Sequence, residues 1–322
     1  MTGIVSWNIQ CGRGVDGRVD LERIAGTIRT MGDADVICLQ EVSRHMPELD
    51  GGAGADQVAV LAGLFPTHRP VFGAALDRAG ADGAERKSFG NLVLSRLPVL
   101  CAFRHHLPQP AETGTRHMPR QATEVTVADR AGPLRIVTTH LEFHSVTQRQ
   151  AQIARLRALH SEAAANVRLP QAAAATGPYE PLPRPADGLL CGDFNLEPED
   201  PEYAALVADF ADGAPALRDA WTALHDGRPH DPTCGLFDRA QWPAGPNCRD
   251  FFFITPTRFV FRNFVQDNGA ADDAERDRGR FPAAAAAPRA VFRMDNDFIT
   301  QPHCSPLATM HESAGRRISD HI

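Results

Sequence analysis

Asp193 and Asn195 stand two residues apart in Leu190-Cys191-Gly192-Asp193-Phe194-Asn195, directly after a short apolar run that reads as a buried strand. On an extended segment, side chains two apart share a face. A carboxylate that takes a proton from water, beside an amide that orients a phosphate oxygen, is the working pair of a phosphoester hydrolase. The same Gly-Asp-x-Asn spacing also builds tight turns through Asx hydrogen bonds, and Gly192 lets the backbone turn there. One motif does not decide between the two.

Four further polar clusters close apolar runs: Trp7-Asn8-Ile9-Gln10, Leu39-Gln40-Glu41-Val42, Thr138-Thr139-His140-Leu141-Glu142 and the terminal Ser319-Asp320-His321. Asp250, which opens Asp-Phe-Phe-Phe-Ile, begins another strand-like run. Each has an ordinary structural reading. Glu41 alone is a solvated strand-end carboxylate, His140 a satisfied, half-buried histidine, Asn8 a cap on the Gly12 turn, and Ser-Asp-His a tail. Five such clusters in one chain are a poor fit to coincidence.

The elements that must position them follow from periodicity. A strand over about 3–9 leads into a Gly-rich turn. Leu21, Ile24, Ile28 and Met31 then recur at helical spacing behind Asp20 as N-cap. The apolar run 35–41 completes a strand-helix-strand crossover. A second helix is expected over 55–65, then strands at 69–76, 91–95, 99–105, 122–128 and 134–140, the last two joined as a hairpin. A long helix over 147–169 places Ile153, Leu156, Leu159 and Val167 on one side. Residues 170–187 read as an Ala/Pro-rich loop, with a short helix at 202–208 and a strand at 250–254 beyond it. Residues 266–290 are low-complexity and read as a mobile insertion. Many short strands with few helices argue for two packed sheets flanked by helices in one domain spanning 1–322, and against a doubly wound parallel sheet.

Composition narrows the partners. The net charge of −7 supplies no global basic field for nucleic acid or an anionic membrane. Seven cysteines, an odd count without a Cys-x-x-Cys pair, suggest neither a disulfide framework nor a zinc ribbon. With a strand-like N-terminus and no spanning apolar stretch, a soluble cytoplasmic protein without integral membrane association is expected. His140 and His144 are spaced i, i+4, but the segment before them reads as a strand, which argues against zinc. The pair His105-His106 reads as loop surface.

The order of these motifs resembles the endonuclease/exonuclease/phosphatase superfamily, the metal-dependent phosphoesterases related to deoxyribonuclease I, exonuclease III and sphingomyelinase. The resemblance runs from Asn8 to His321. Gly90-Asn91-Leu92-Val93-Leu94-Ser95-Arg96-Leu97-Pro98 is similar to the family's mid-chain strand, and Gln148-Arg149-Gln152 to its pattern after the His140 strand. It implies an α+β fold, a four-layer α/β/β/α sandwich of two mixed sheets. It also implies that Asn8, Glu41 and Asp320, with Gln10 nearby, hold Mg²⁺ or Mn²⁺. Asp193 would orient or deprotonate the attacking water, and Asn195 would position it. His321, hydrogen-bonded to Asp250, and His140 would contact the phosphate or move a proton.

Two departures stand out. The family pattern continues with a strand after Ser-Asp-His, whereas this sequence ends at Ile322. The separation from Asp250 to Asp320 is long, and Asp295 and Asp297 compete for the Asp250 role, although the Phe-rich run after Asp250 fits better. Arg116, Arg120 and Arg149 are candidates for a phosphate cradle. Acidity and two tyrosines favour a small or lipid-derived phosphoester over duplex DNA. A metal-dependent DNA endonuclease or exonuclease, and a non-catalytic phosphate-ligand binding module of the same fold, are the alternatives.

Overall fold

The computed structural model describes residues 2–80, 83, 85–170, 176–225, 227–238, 241–256, 260–267 and 289–295. Asp297, Asp320 and His321 lie outside the described residues, as does 268–288 of the low-complexity segment.

In chain order the elements are β1 (Thr2–Asn8), α1 (Leu21–Met31), β2 (Val36–Arg44), α2 (Gln57–Leu64), β3 (Arg69–Arg78), β4 (Lys87–Ser95) and β5 (Val99–His106). Then come β6 (Gln121–Asp129), β7 (Gly132–His140), α3 (Val146–Arg168), β8 (Gly188–Asp193), α4 (Pro201–Val207), β9 (Arg218–Asp219), α5 (Ala220–Leu224), β10 (Asp250–Ile254), β11 (Val260–Asp267) and β12 (Arg289–Asp295). The strands form two six-stranded sheets in the orders β11-β12-β1-β2-β4-β3 and β5-β6-β7-β8-β10-β9. Both are mixed. β1 runs parallel to β2, and β7 parallel to β8, while their other pairings are antiparallel.

Alternation along the strands sorts side chains into layers. Ile4, Cys38, Val93, Val125, Ile136, Leu189, Cys191 and Phe252 share the core between the sheets. Their neighbours Val5, Ile37, Leu39, Leu92 and Leu94 point the other way, onto Ile24 and Ile28 of α1 and Leu61 of α2. Val137, Leu190, Phe251 and Phe253 face Ile153 and Leu156 of α3 and Leu206 of α4. Sheets covered on both faces explain the near-continuous apolar runs of β1, β2 and β8. The four-layer sandwich stands as the sequence implied. Asp20 caps α1 by accepting from the Arg23 amide (2.8 Å), and Ser145 caps α3 by accepting from Gln148 (3.0 Å).

Some local expectations fail. Val167 is 55% exposed, in a last stretch of α3 where every residue from 165 on is exposed. His105 is not loop surface: it lies on β5, where its ring meets the buried Glu124 carboxylate at 3.0 Å. Residues 266, 267, 289 and 290, placed in the insertion from composition, are the ends of β11 and β12. These two strands form a hairpin that adds to the β1 edge of the first sheet.

Glu124 shows how the long loop before β8 is held. Arg184, from that loop, donates to Glu124 at 2.6 and 3.0 Å and to Glu162 of α3 at 2.8 Å, and stacks over Phe103 at 5.1 Å. Burial alone would raise the Glu124 carboxyl, but hydrogen bonds from His105 and Arg184, and the charges of Arg135 and Arg184, outweigh it and hold it at about 2. A depressed carboxylate contributes stability that is present above its unfolded value of 4.5 and is lost as pH falls toward about 2. Replacing Glu124 by Gln is expected to lower stability at pH 7 by on the order of 3 kcal/mol. In urea titrations the gap to wild type should narrow steadily below pH 4.5.

Candidate functional site

The two parallel pairs decide where the polar residues meet. Side chains that close parallel strands gather at the carboxyl edge of the sheet, where open α/β sheets bind ligands. Asn8 ends β1, and His140 ends β7 directly beside Asp193 at the end of β8. Asp250 opens the antiparallel β10 and pairs with Asp193, which brings a strand beginning to the same edge. The edge is a cleft of about 1070 Å³. Asn8, Gln10, Glu41, Arg116, Arg120, His140, Asp193, Asn195 and Asp250 all line it.

Glu41 reaches the cleft through a β-bulge. β2 pairs with β4 through Leu39–Leu92 and then Val42–Gly90, so Gln40 and Glu41 together oppose Asn91. Glu41 takes φ +56°, the left-handed region. The bulge splits the two side chains. Gln40 turns inward, donating to Thr138 Oγ1 at 2.8 Å, and Glu41 turns to the cleft. Asn195 also adopts a left-handed φ, +52°, so the Asp193–Asn195 segment is not extended as expected. Its amide donates to Asp193 Oδ1 at 2.9 Å, closing an Asx turn. The turn and the chemical pair are therefore one structure.

Asn8 ties the site together. Its Oδ1 accepts from the Gln10 amide at 3.1 Å, which fixes the side-chain orientation. Both N–H bonds then donate to carboxylates, to Glu41 Oε1 at 3.0 Å and Asp193 Oδ2 at 2.9 Å. Asn8 thus meets Glu41 through nitrogen, a strut between two acids and not an oxygen donor beside one. Burial raises the Glu41 and Asp193 carboxyls, with the Asn8 hydrogen bond opposing in each. Burial, reinforced by the charge of Asp193, pushes Asp250 well up.

The state of His140 follows from its neighbour. Asn195 Nδ2 donates to the Leu141 carbonyl at 2.9 Å and lies 2.9 Å from His140 Nε2, so Nε2 must accept and the ring proton sits on Nδ1. Burial, with Arg120 nearby, lowers the imidazole well below its ordinary range. The ring is neutral, and its approaches to Glu41 (3.9 Å) and Asp193 (3.7 Å) are not ion pairs.

Arg120 is 5% exposed and donates through Nε to Glu142 at 3.3 Å. Its buried Nη1 has no partner among the described residues. Arg149 is not in the cleft. It lies behind it, donating to the Glu142 and Phe143 carbonyls at 3.0 and 3.3 Å, with Glu202 at 3.6 Å. Sequence reasoning gave no role to Glu142, which anchors Arg120, or to Thr233, whose hydroxyl accepts from the Arg249 and Asp250 amides at 2.9 and 3.1 Å. The signal for Glu142 was present, two residues after His140.

Among the described residues, no group of three or more His, Cys, Asp and Glu side chains is placed to hold a metal ion. The donors still suit a hard cation that retains water, since Mg²⁺ needs only one or two carboxylates. Glu41, one-quarter exposed at the cleft and without a cationic hydrogen-bond partner among the described residues, is that kind of ligand.

The chain belongs to the Endonuclease/Exonuclease/phosphatase family, whose model matches residues 5–321. An endonuclease/exonuclease/phosphatase from Beutenbergia cavernae is 23% identical, over 91% of this chain and 71% of its own, with TM-score 0.60. The human Nocturnin catalytic domain, solved with a bound sulfate anion, is 16% identical over 91% and 94%, with TM-score 0.55. TDP2 from D. rerio, complexed with single-strand DNA product, is 18% identical over 90% and 97%, with TM-score 0.54. At these identities the likeness establishes the fold. No curated protein matches the chain.

A Cβ on Gly192, whose φ is +135°, would sit 1.9 Å from the Thr139 carbonyl oxygen of β7. Gly192→Ala should therefore part β7 from β8 where His140 meets Asp193. We expect a loss of at least about 2 kcal/mol in chemical denaturation. Separately, ¹⁵N spectra of His140 should show the neutral Nδ1–H tautomer well below pH 6.5.

Proposed function

We propose that the protein is a divalent-metal-dependent phosphoester hydrolase working as one domain. The observation that carries this reading is a single cleft with two carboxylates braced by Asn8, a neutral histidine N–H and an unpaired, buried arginine N–H. Glu41 holds Mg²⁺ or Mn²⁺, with Asp320 added by the family pattern. When bound, the cation polarises a phosphoryl oxygen and neutralises charge on the leaving oxygen.

Asp193, its pKa raised by burial, accepts a proton from water while the water oxygen bonds to phosphorus and the bond to the leaving oxygen breaks. Asn195 fixes Asp193 through its amide and His140 through its side chain. His140, with its proton on Nδ1, donates a hydrogen bond to the phosphate. A neutral imidazole in that tautomer is a poor source of a whole proton, so the leaving group is protonated from elsewhere. Arg120 Nη1 offers the second donor. His321, the partner of Asp250 in the family pattern, contributes a third.

The six described cysteines are free, which supports a cytoplasmic setting. No helix among the described residues is long and apolar enough to cross a membrane. A nuclease is the second reading, favoured by the similarity to TDP2 complexed with single-strand DNA product.

With bis-p-nitrophenyl phosphate and Mg²⁺, nitrophenolate release is expected to stop in EDTA and return with added metal. Asp193→Ala should lower kcat by roughly 10²–10⁴-fold. Glu41→Gln should raise the Mg²⁺ concentration needed for half-maximal rate. Tight phosphate binding without turnover by the wild type would instead identify a binding module.

A further inference from the structure

Three carboxylates surround one guanidinium. Burial disfavours the charge of Arg120, and the negative charges of Glu142, Asp193 and Glu41 all favour it. An arginine carries five N–H bonds on a long, flexible stem, and its planar fork matches a carboxylate. An untethered guanidinium in this position would pair with whichever acid it reached. In the structure Arg120 donates through Nε to Glu142 at 3.3 Å. Glu41 and Asp193 form no ion pair with arginine or lysine among the described residues, and both accept from the neutral Asn8 amide instead.

Glu142 is built to hold. It has no exposed surface, and besides Arg120 it accepts from the His144 amide at 2.9 Å and the Met118 amide at 3.4 Å. Burial would raise this carboxyl, but the His144 amide and the Arg120 charge outweigh it and keep the group ionised. The Gln152 side chain locks the two chain segments together. Its Oε1 accepts from the Glu142 amide at 2.9 Å, while its Nε2 donates to the Pro108 carbonyl at 3.2 Å. The neighbouring Leu107 amide donates to the Arg120 carbonyl at 2.9 Å. One edge of the guanidinium is thus fixed, and Nη1 is left without a partner among the described residues. Arg249, the other arginine whose charge reaches Asp193, is tied to Glu197 at 3.0 Å in the same manner.

We propose that Glu142 is a positioning residue that keeps Arg120 off Asp193 and Glu41. The guanidinium then serves phosphate while both acids stay open to water and cation. A direct pair between Arg120 and either acid would occupy the oxygen lone pairs that a proton or a hard cation needs. The chemistry rests on the hydrolase reading, whereas the holding role is tested by binding alone.

Calorimetry on the full chain would measure Mg²⁺ binding, and then inorganic phosphate binding in excess Mg²⁺. Glu142→Gln preserves the shape and one acceptor oxygen but removes the charge that holds Arg120. It is expected to weaken Mg²⁺ binding by about 10–100-fold. Phosphate binding should weaken by about tenfold or more. Adding Arg120→Met should return Mg²⁺ affinity toward the wild-type value, since no guanidinium is left to stray, while phosphate binding stays weak. These opposite responses are the signature of positioning, because a folding defect would depress both affinities together. Glu142→Asp, which keeps the charge but shortens its reach, is a milder variant with the same signature should Glu142→Gln fold poorly. Unchanged Mg²⁺ affinity in Glu142→Gln, or a Mg²⁺ loss that Arg120→Met does not reverse, would overturn the proposal. Neither result involves turnover, so failure here is distinct from failure of the hydrolase reading, which the nitrophenyl assay reports.

Discussion

The site depends on one hydrogen-bonded bridge between two sheets. Asn8 and Glu41 belong to the first sheet and Asp193 to the second, and the Asn8 amide reaches both acids. Two carboxylates side by side would repel each other and raise each other's proton affinity. A neutral donor between them orients both without quenching either charge, as an arginine in that position would. The sandwich is packed closely enough for this to work. The inter-sheet core is filled by fully buried residues such as Ile4, Val93, Val125 and Ile136.

Toward the cleft the interior turns polar. Gln40 spans the sheets to Thr138, and Asn91 of β4 donates across them to the Gln121 carbonyl of β6 at 3.1 Å. These bonds convert a deformable apolar contact into a registered one, which limits sliding of one carboxyl edge past the other. Behind that edge lies a further tier of support. Glu142 takes the Arg120 guanidinium as well as the His144 amide, and the Gln152 side chain accepts from the Glu142 amide at 2.9 Å. The start of α3 therefore braces the segment that carries both the basic and the aromatic parts of the cleft.

Much of this was legible in the sequence, for a definite reason. Asn8, Glu41, His140, Asp193 and Asn195 each follow an apolar run, and the parallel pairings β1–β2 and β7–β8 turn that one-dimensional rule into one place. Asp250 was readable from the Phe-rich strand it opens. The bulge at Glu41 was not, because its left-handed residue is not glycine and leaves no mark in composition. Arg149 was misplaced for a related reason. Its helical position put it near the site, but the direction in which a helix presents a side chain depends on docking that no local pattern records. The β11–β12 hairpin was obscured by the biased composition of the segment it flanks.

The left-handed backbone at Glu41 sets comfort against capability. An L-residue there bears a strain of roughly 1–2 kcal/mol that glycine would relieve. A variant library selected only for heat resistance would be drawn to glycine at this position and would return sturdier molecules stripped of a cleft carboxylate. Resilience and chemistry compete at one peptide unit, so any engineering effort on this chain has to screen for both together.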